Sequence, residues 1–430
     1  MNDDEVGLKM YKLMEDLYPI CRSITGDGVR ETLEIIKKNI PLEIFEVPTG
    51  TKVFDWEVPK EWNINDAYVI SPSGEKIIDF KESNLHIVNY SIPIRKKISL
   101  NELKKHLHSI PEKPNTIPYL TSYYKEDWGF CIQHNKFQNL EDGDYDVVID
   151  SDLSKGNLTY GEFFIKGETE NEILISTYVC HPSMCNDNLS GVVLATFIAK
   201  YLNSISNFYS IRFLFIPETI GAITWLAKNE KNTKKIKHGL VITCIGDDGE
   251  FTYKKSKKGN SEIDKISEYA LETSKYPYKI IDFYPVGSDE RQYCSPGFNL
   301  PVGSLMRTMY GEFLEYHTSD DDLNFIKSKS LQESFEMYKH IINLINKNKK
   351  FLNLNPKCEP QLGKRGLYNS LGAQQLNAKG KIIDRAYLCI LNYSDGGNSL
   401  LDIVEKSKIS FEIISSAAER LLKANLIKEI

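Results

Sequence analysis

The stretch Ile173-Leu-Ile-Ser-Thr-Tyr-Val-Cys-His-Pro-Ser-Met-Cys-Asn-Asp-Asn-Leu-Ser-Gly191 restricts the fold more than any other part of the chain. A largely apolar run, Ile173 to Val179, ends just before His181. Asp187 follows inside Asn-Asp-Asn, and Leu-Ser-Gly leads into a second apolar run, Val192 to Ala199. The pattern predicts a strand, a polar loop and a buried helix. Open α/β sheets place their chemistry in the loops beyond the carboxyl ends of their strands. Imidazole nitrogen and carboxylate oxygen are also good zinc ligands, which makes His181 and Asp187 candidate metal donors. The competing reading is structural: a hydrogen-bonded histidine and an N-capping aspartate.

Two later segments carry the same signature. Arg212-Phe-Leu-Phe-Ile-Pro-Glu-Thr-Ile-Gly221 is a hydrophobic strand ending at Pro217 and Glu218. A single carboxylate there, beside a glycine that lets backbones approach closely, suits a general base. A helix-start glutamate favoured by the helix dipole is the alternative. In Glu315-Tyr-His-Thr-Ser-Asp-Asp-Asp322, His317 is a third candidate metal donor. The hydroxyl and acidic residues after it could hold its second ring nitrogen, as happens around metal-bound histidines. Taken alone, this segment also reads as an acidic surface turn.

Around these segments, residues 156–350 alternate strand and helix patterns. Strand candidates are Ile173–Val179, Ile211–Ile216, Leu240–Ile245 and Ile280–Phe283, with a long final helix near Leu331–Asn346. Such alternation implies a mostly parallel sheet with helices on both faces. Residues 5–40 read as two helices, with Leu8, Tyr11, Met14, Leu17 and Tyr18 at helical spacing. From 41 to 149 the texture is β-rich and aromatic, as in Ala67-Tyr-Val-Ile and Leu85-His-Ile-Val-Asn-Tyr-Ser91, with one helix near Leu100–His108. This part is expected to be an inserted domain. Its Tyr123, Tyr124 and Trp128 are candidates for a cleft lining, with core packing as the alternative. His86, His106, His108 and His134 have no acidic partner at ligand spacing and are read as non-ligands.

After the polar stretch Asn348–Pro360, helices over Asp384–Tyr393, Leu400–Glu405 and Ser410–Ala424, then a strand at Leu426-Ile-Lys-Glu-Ile430, fit a winged helix. The expected domains are therefore 1–40 with 150–355, 41–149, and 359–430. The tail from Glu359 to Ile430 holds ten Lys/Arg against eight Asp/Glu, a net of +2. Its candidate recognition helix, Ser410–Leu422, carries two Glu and one Arg. A helix meant for the major groove should present Arg, Lys, Asn or Gln. A protein-contact or homo-oligomer role is expected instead, and nucleic acid is not expected as a partner.

Composition narrows the class further. A chain of 430 residues should hold two or three domains at ~100–200 residues each. A net charge of −6 argues against a nucleic-acid surface over the whole chain. The lysine runs Lys231–Lys237 and Lys254–Lys258 read as solvated faces. Eight scattered cysteines, several inside apolar runs, resemble reduced thiols and not a disulfide framework. Cys180 and Cys185 flank His181, and packing is the expected role of both. The acidic start, Asp3-Asp-Glu5, is unlike a secretory signal. No apolar stretch reaches the ~18–20 residues a bilayer span needs. A cytoplasmic protein without a membrane partner is expected.

The three segments together resemble the co-catalytic zinc aminopeptidase family. In that family a His opens the site, an Asp in an Asn/Asp-Asp-Asn-x-Ser-Gly motif bridges two metals, a Glu-Glu-x-Gly motif follows, and Tyr-His-Thr supplies the last ligand. Asp187, Glu218 and His317 match directly, His181 matches by order, and Ser288-Asp289-Glu290 resembles the family's Ser-Asp-His. More closely, the chain is similar to a bacterial group of aminopeptidase-like proteins with an inserted β-rich domain and a C-terminal winged helix. Tyr18-Pro-Ile-Cys-Arg-Ser-Ile-Thr-Gly26, Ile117-Pro-Tyr-Leu-Thr-Ser-Tyr-Tyr124, Trp128-Gly-Phe-Cys131 and Cys180-His-Pro-Ser183 carry that likeness.

The resemblance implies a zinc-aminopeptidase-like α/β fold and a zinc hydrolase holding one or two Zn2+ ions. Its metal ligands would be His181, Asp187 and His317, with Glu218 as general base and a peptide or small amide as substrate. Arg22 becomes a candidate substrate contact, with a structural arginine pairing a carboxylate as the alternative. There are departures. Thr219 stands where the family has its second Glu, Ser183 replaces the Asp of His-x-Asp, and either Cys244 or Asp247 falls where a further Asp ligand comes. The family's geometry would also assign the two histidines to different metals. Two rival functions stay open: an amidohydrolase or deacylase acting on a non-peptide amide such as an amino sugar, and a non-catalytic scaffold with a degenerate metal site.

Overall fold

The computed structural model describes residues 5–122, 125–368 and 378–430. The chain divides into two compact units, residues 1–339 and 340–430.

The first unit is built on an eight-stranded sheet. Its strands lie in the order Glu43–Pro48, Asn157–Ile165, Tyr209–Ile216, Thr169–Tyr178, Ile236–Ile242, Val302–Met306, Phe251–Lys254 and Tyr278–Ile281. The central four, Tyr209–Ile216 to Val302–Met306, pair in parallel. The outer strands mix both directions. Ile173, Leu174 and Ile175 are fully buried, as are Leu240, Val241 and Ile242. Strands covered on both faces read as near-continuous apolar runs, which is why these two were legible. The helix Ser190–Leu202 is buried almost throughout. The strands Val302–Met306 and Phe251–Lys254 escaped the sequence reading. The first includes Gly303 and Ser304, and the second carries Thr252 and Lys254, so neither shows a plain apolar run.

A separate antiparallel sheet runs Lys76–Asp79, Glu61–Ile70, Asp144–Ser154 and Ile94–Ser99. Glu43–Pro48, placed in the insertion by the sequence reading, instead pairs with Asn157–Ile165 at the edge of the large sheet. The two expected N-terminal helices are Val6–Leu17 and Asp27–Lys37. Lys254 departs from the solvated-face reading. It is fully buried and pairs with Glu290 at 2.7 Å.

The second unit holds the helices Ala378–Tyr393, Leu400–Ser407 and Phe411–Lys423. Its sheet sets Lys350–Asn353 between Asp395–Ser399 and Ile427–Glu429. Helix, helix, helix and strand follow one another as a winged helix requires. The strand Lys350–Asn353, placed with the catalytic domain by the sequence reading, lies in the polar stretch Asn348–Pro360 and belongs to the sheet of the second unit. No helix of the described residues is long and apolar enough to cross a membrane.

Candidate metal centre

The Thr169–Tyr178 strand delivers its chain to the site, and Val179 N still bonds Ile216 O at 2.9 Å. Beyond it the backbone is held from outside. Buried Arg22 donates from Nε to the His181 carbonyl at 2.8 Å and from Nη1 to the Leu17 carbonyl at 2.7 Å. Ser183 Oγ donates to the Tyr18 carbonyl at 2.7 Å and accepts from Asn84 Nδ2 at 2.7 Å. The motif Tyr18–Gly26 is thus a strap tying the His181 loop down. Arg22 bonds two backbone carbonyls and no carboxylate among the described residues, so the carboxylate-pairing alternative does not describe it, and its Nη2 is buried without a partner.

Asp187 is positioned by the chain that follows His317. Asp321 accepts from Asn186 N at 2.6 Å and Asp187 N at 2.9 Å, and its own carbonyl accepts from Cys185 N at 2.9 Å. The acidic run after His317 therefore grips the Asp187 loop and does not hold the imidazole. Gly191 is needed at the helix start. A Cβ there would lie 2.6 Å from the Ile242 carbonyl and 2.4 Å from Asn188 Oδ1, which no side chain tolerates.

These supports bring His181, Asp187 and His317 together, with one donor atom from each within 4.8 Å of the others. His317 Nε2 lies 2.9 Å from Asp187 Oδ2, and His181 Nδ1 lies 3.9 Å from Asp187 Oδ1. The His181 Nδ1 atom is buried and lacks a hydrogen-bond partner. Buried polar atoms without partners are rare and call for a ligand or a functional reason. Burial pushes His181 down to about 4, so it is neutral near pH 7 and its lone pair is free. Burial also acts to raise Asp187. The imidazoles of His181 and His317 and the Tyr178 hydroxyl outweigh it and hold the carboxyl at about 2. Two imidazoles and one carboxylate, with donor atoms this close together, fit a zinc ion. All three donors fall within reach of a single ion, whereas the family's geometry implied that the histidines would serve different metals.

Glu218 stands beside this cluster, its Oε2 3.9 Å from His181 Nε2. Burial raises its carboxyl well above the usual range, and the nearby charges of Asp289 and Asp187 raise it further. Cys180 Sγ accepts from Glu218 N at 3.2 Å. Burial also pushes the Cys180 thiol up. The next residue, Thr219, is clamped from two sides. Its N–H donates to Asp289 Oδ1 at 2.7 Å, and its hydroxyl accepts from Arg291 Nη2 at 2.8 Å. Thr219 and His317 sit at φ 62° and 52°. Side-chain-bearing residues rarely hold this conformation, and such strain gathers at working sites.

Neither Cys244 nor Asp247 joins the donor cluster. Asp247 accepts from Asn186 Nδ2 at 2.7 Å and Thr308 Oγ1 at 2.7 Å, and Cys244 accepts from Thr243 Oγ1 at 3.2 Å. All eight cysteines are free. Trp128 stacks on His106 at 3.7 Å, within the insertion. Tyr123 and Tyr124 lie outside the described residues. The aromatics at the centre are others: Tyr119 edge-on to both histidines, Tyr316 stacked on His317 at 3.9 Å, and Tyr178. Tyr178, Asp321, Asp289 and Arg291 were missed as functional residues. Two of them had a sequence signal: Asp289 in Ser288-Asp289-Glu290, and Asp321 in the acidic run after His317.

Fold and site define the class: a mixed α/β protein of the aminopeptidase fold with a C-terminal winged helix. A family model described as a domain of unknown function (DUF4910) matches residues 11–348, and one described as a winged helix-turn-helix matches 349–429. The chain belongs to the DUF4910 family. It is 57% identical over 427 residues, covering 99% of this chain and 98% of the other, to a Clostridium acetobutylicum protein. That relative is named provisionally as a polysaccharide biosynthesis protein with an aminopeptidase-like domain. A crystal structure of a provisionally named peptidase from the same organism superposes with TM-score 0.92 at 56% identity, covering 100% of this chain and 98% of that one. The zinc aminopeptidase of Bacillus subtilis shares the fold at TM-score 0.58 and 12% identity, covering 80% of this chain and 95% of that one.

Proposed function

We propose that the chain is a zinc-dependent hydrolase of the aminopeptidase class, cleaving an amide bond next to a free amino group. The observation that carries this reading is the convergence of His181, Asp187 and His317 within 4.8 Å, with Glu218 alongside. Those three residues would hold the metal, which supplies Lewis acidity to a substrate carbonyl and to water when bound. Glu218 takes the proton of the attacking water and passes it to the leaving nitrogen. Burial raises its carboxyl, the direction that favours holding a proton between the two transfers. Tyr178 and Asp321 keep Asp187 in place while charge shifts around it.

A second reading keeps the same residues and changes the substrate to the amide of an amino sugar. What favours it is the relative's provisional name, which mentions polysaccharide biosynthesis. One experiment separates the readings. Metal content is measured by plasma mass spectrometry on wild type, His317→Ala and Glu218→Gln, beside amine release from a panel of aminoacyl amides. The aminopeptidase reading expects zinc in wild type and Glu218→Gln, its loss in His317→Ala, and turnover by wild type alone. Zinc without aminoacyl turnover points to the amino-sugar amide. Failure to bind zinc when it is supplied ends the catalytic reading.

A further inference from the structure

The arginines of the first unit differ in how fully they are used. Arg30 bonds Asp27, Glu46 and Glu61. Arg212 is bidentate to Glu172 and also reaches Glu162. Arg307 contacts Glu333, Ser334, Gly249 O and Ser330 O. Arg291, by contrast, makes one hydrogen bond among the described residues, to Thr219 Oγ1, and its Nε is buried without an acceptor.

This unsaturated guanidinium sits within the candidate site. Its anchor, Thr219, directly follows Glu218. Its positive charge acts on both Glu218 and Asp289, yet neither pairs with it directly. The side chain is partly exposed, so a ligand can reach it. A guanidinium presents five N–H donors in a planar fork that matches a carboxylate. One bond to a hydroxyl leaves most of that fork open, and the Thr219 anchor fixes where it points.

We propose that Arg291 is a specificity-determining residue that anchors a carboxylate of the substrate beside the scissile amide. The inference rests on the metallohydrolase reading and adds to it the charge of the substrate. Two sources carry such a group, an acidic peptide and an acidic amino sugar.

The test is calorimetric titration of the zinc-loaded full chain with glutamic acid α-hydroxamate and glutamine α-hydroxamate, which differ in a carboxylate against a carboxamide. Wild type is expected to prefer the acid by about ten- to a hundredfold, the range for one charge-assisted contact. Arg291→Gln, which keeps a donor for Thr219, should bring the ratio towards one, and Arg291→Lys should retain part of it. Zinc content is measured in each variant. Equal affinities in wild type, or a preference that survives Arg291→Gln, overturn the inference and leave the metallohydrolase reading standing. Zinc loss in Arg291→Gln also overturns it, since Arg291 would then act on the metal centre. If neither hydroxamate binds wild type, the inference is overturned, and zinc content alone decides the metallohydrolase reading. Displacement of the bound acid by alanyl-glutamate assigns the carboxylate to a peptide. Displacement by N-acetylglucosaminuronic acid assigns it to a sugar, and displacement by neither overturns the inference.

Discussion

The Tyr178 hydroxyl donates a hydrogen bond to Asp187 Oδ1 and also meets Thr243 Oγ1 at 2.7 Å. Both residues of the pair are almost wholly buried. The tyrosine therefore fixes which way the carboxylate faces and leaves Oδ2 for the metal. Partners of this kind around a metal site typically change affinity by ~10–100-fold when removed. Tyr178→Phe is expected to weaken zinc by that factor in competition with a chelating dye, while His181 and His317 remain. An unchanged affinity would show that Asp321 alone holds Asp187 in place.

Glu218→Gln keeps the shape of the side chain and removes its proton affinity. Turnover should fall by at least ~10²–10⁴-fold, the usual contribution of a positioned acid–base group. Zinc should stay bound, because Glu218 lies outside the His181–Asp187–His317 set. Loss of zinc from this variant would make Glu218 a ligand through the Cys180–His181–Glu218 grouping, whose donor atoms also lie within 4.8 Å of one another.

The candidate site was legible where chemistry rides on local pattern. His181, Asp187, Glu218 and His317 each end an apolar run or sit in a short motif, and the fold gathers them. Tyr178 was hidden because it lies inside the strand that announces the site, where an aromatic reads as core. Asp321 was visible as an acid but assigned to the wrong neighbour. Its distance from the Asp187 backbone is set by tertiary packing and by nothing in the local sequence. Arg291 was hidden because its partner, Thr219, lies 72 positions away. The short strand Phe251–Lys254 was lost for a related reason: Lys254 looks solvated until Glu290 folds over it.

That Lys254–Glu290 pair has both side chains fully buried. Lys254 Nζ also bonds the Val286 carbonyl at 2.8 Å and Tyr310 Oη at 2.9 Å. Removing one partner of a buried ion pair strands the other charge and costs about 3–5 kcal/mol. Lys254→Met should lose stability of that order in urea unfolding. The double variant Lys254→Met/Glu290→Leu should recover much of it, because no isolated charge is then left inside. If the single and double variants lose equal stability, packing around Tyr310 matters more than the charge pair.

His238 gives a pH signature independent of the metal. It is buried, its two ring nitrogens lack hydrogen-bond partners, and the Tyr209 ring lies edge-on at 5.0 Å. Burial, aided by the charge of Lys237, pushes it down to about 3. The unfolded chain takes up this proton near pH ~6.5, whereas the folded chain does not until far lower pH. Between those values the unfolded state binds more protons. Stability therefore rises with pH across the window and is lost as pH falls below ~6.5, by up to ~1.4 kcal/mol per pH unit from this one group. His238→Phe keeps the ring against Tyr209 and removes the proton site. Urea unfolding at pH 7, 6 and 5 should show the variant gaining on wild type as pH falls, with the slope difference approaching that value. Parallel curves would mean that His238 finds a partner, or is charged, in the folded protein.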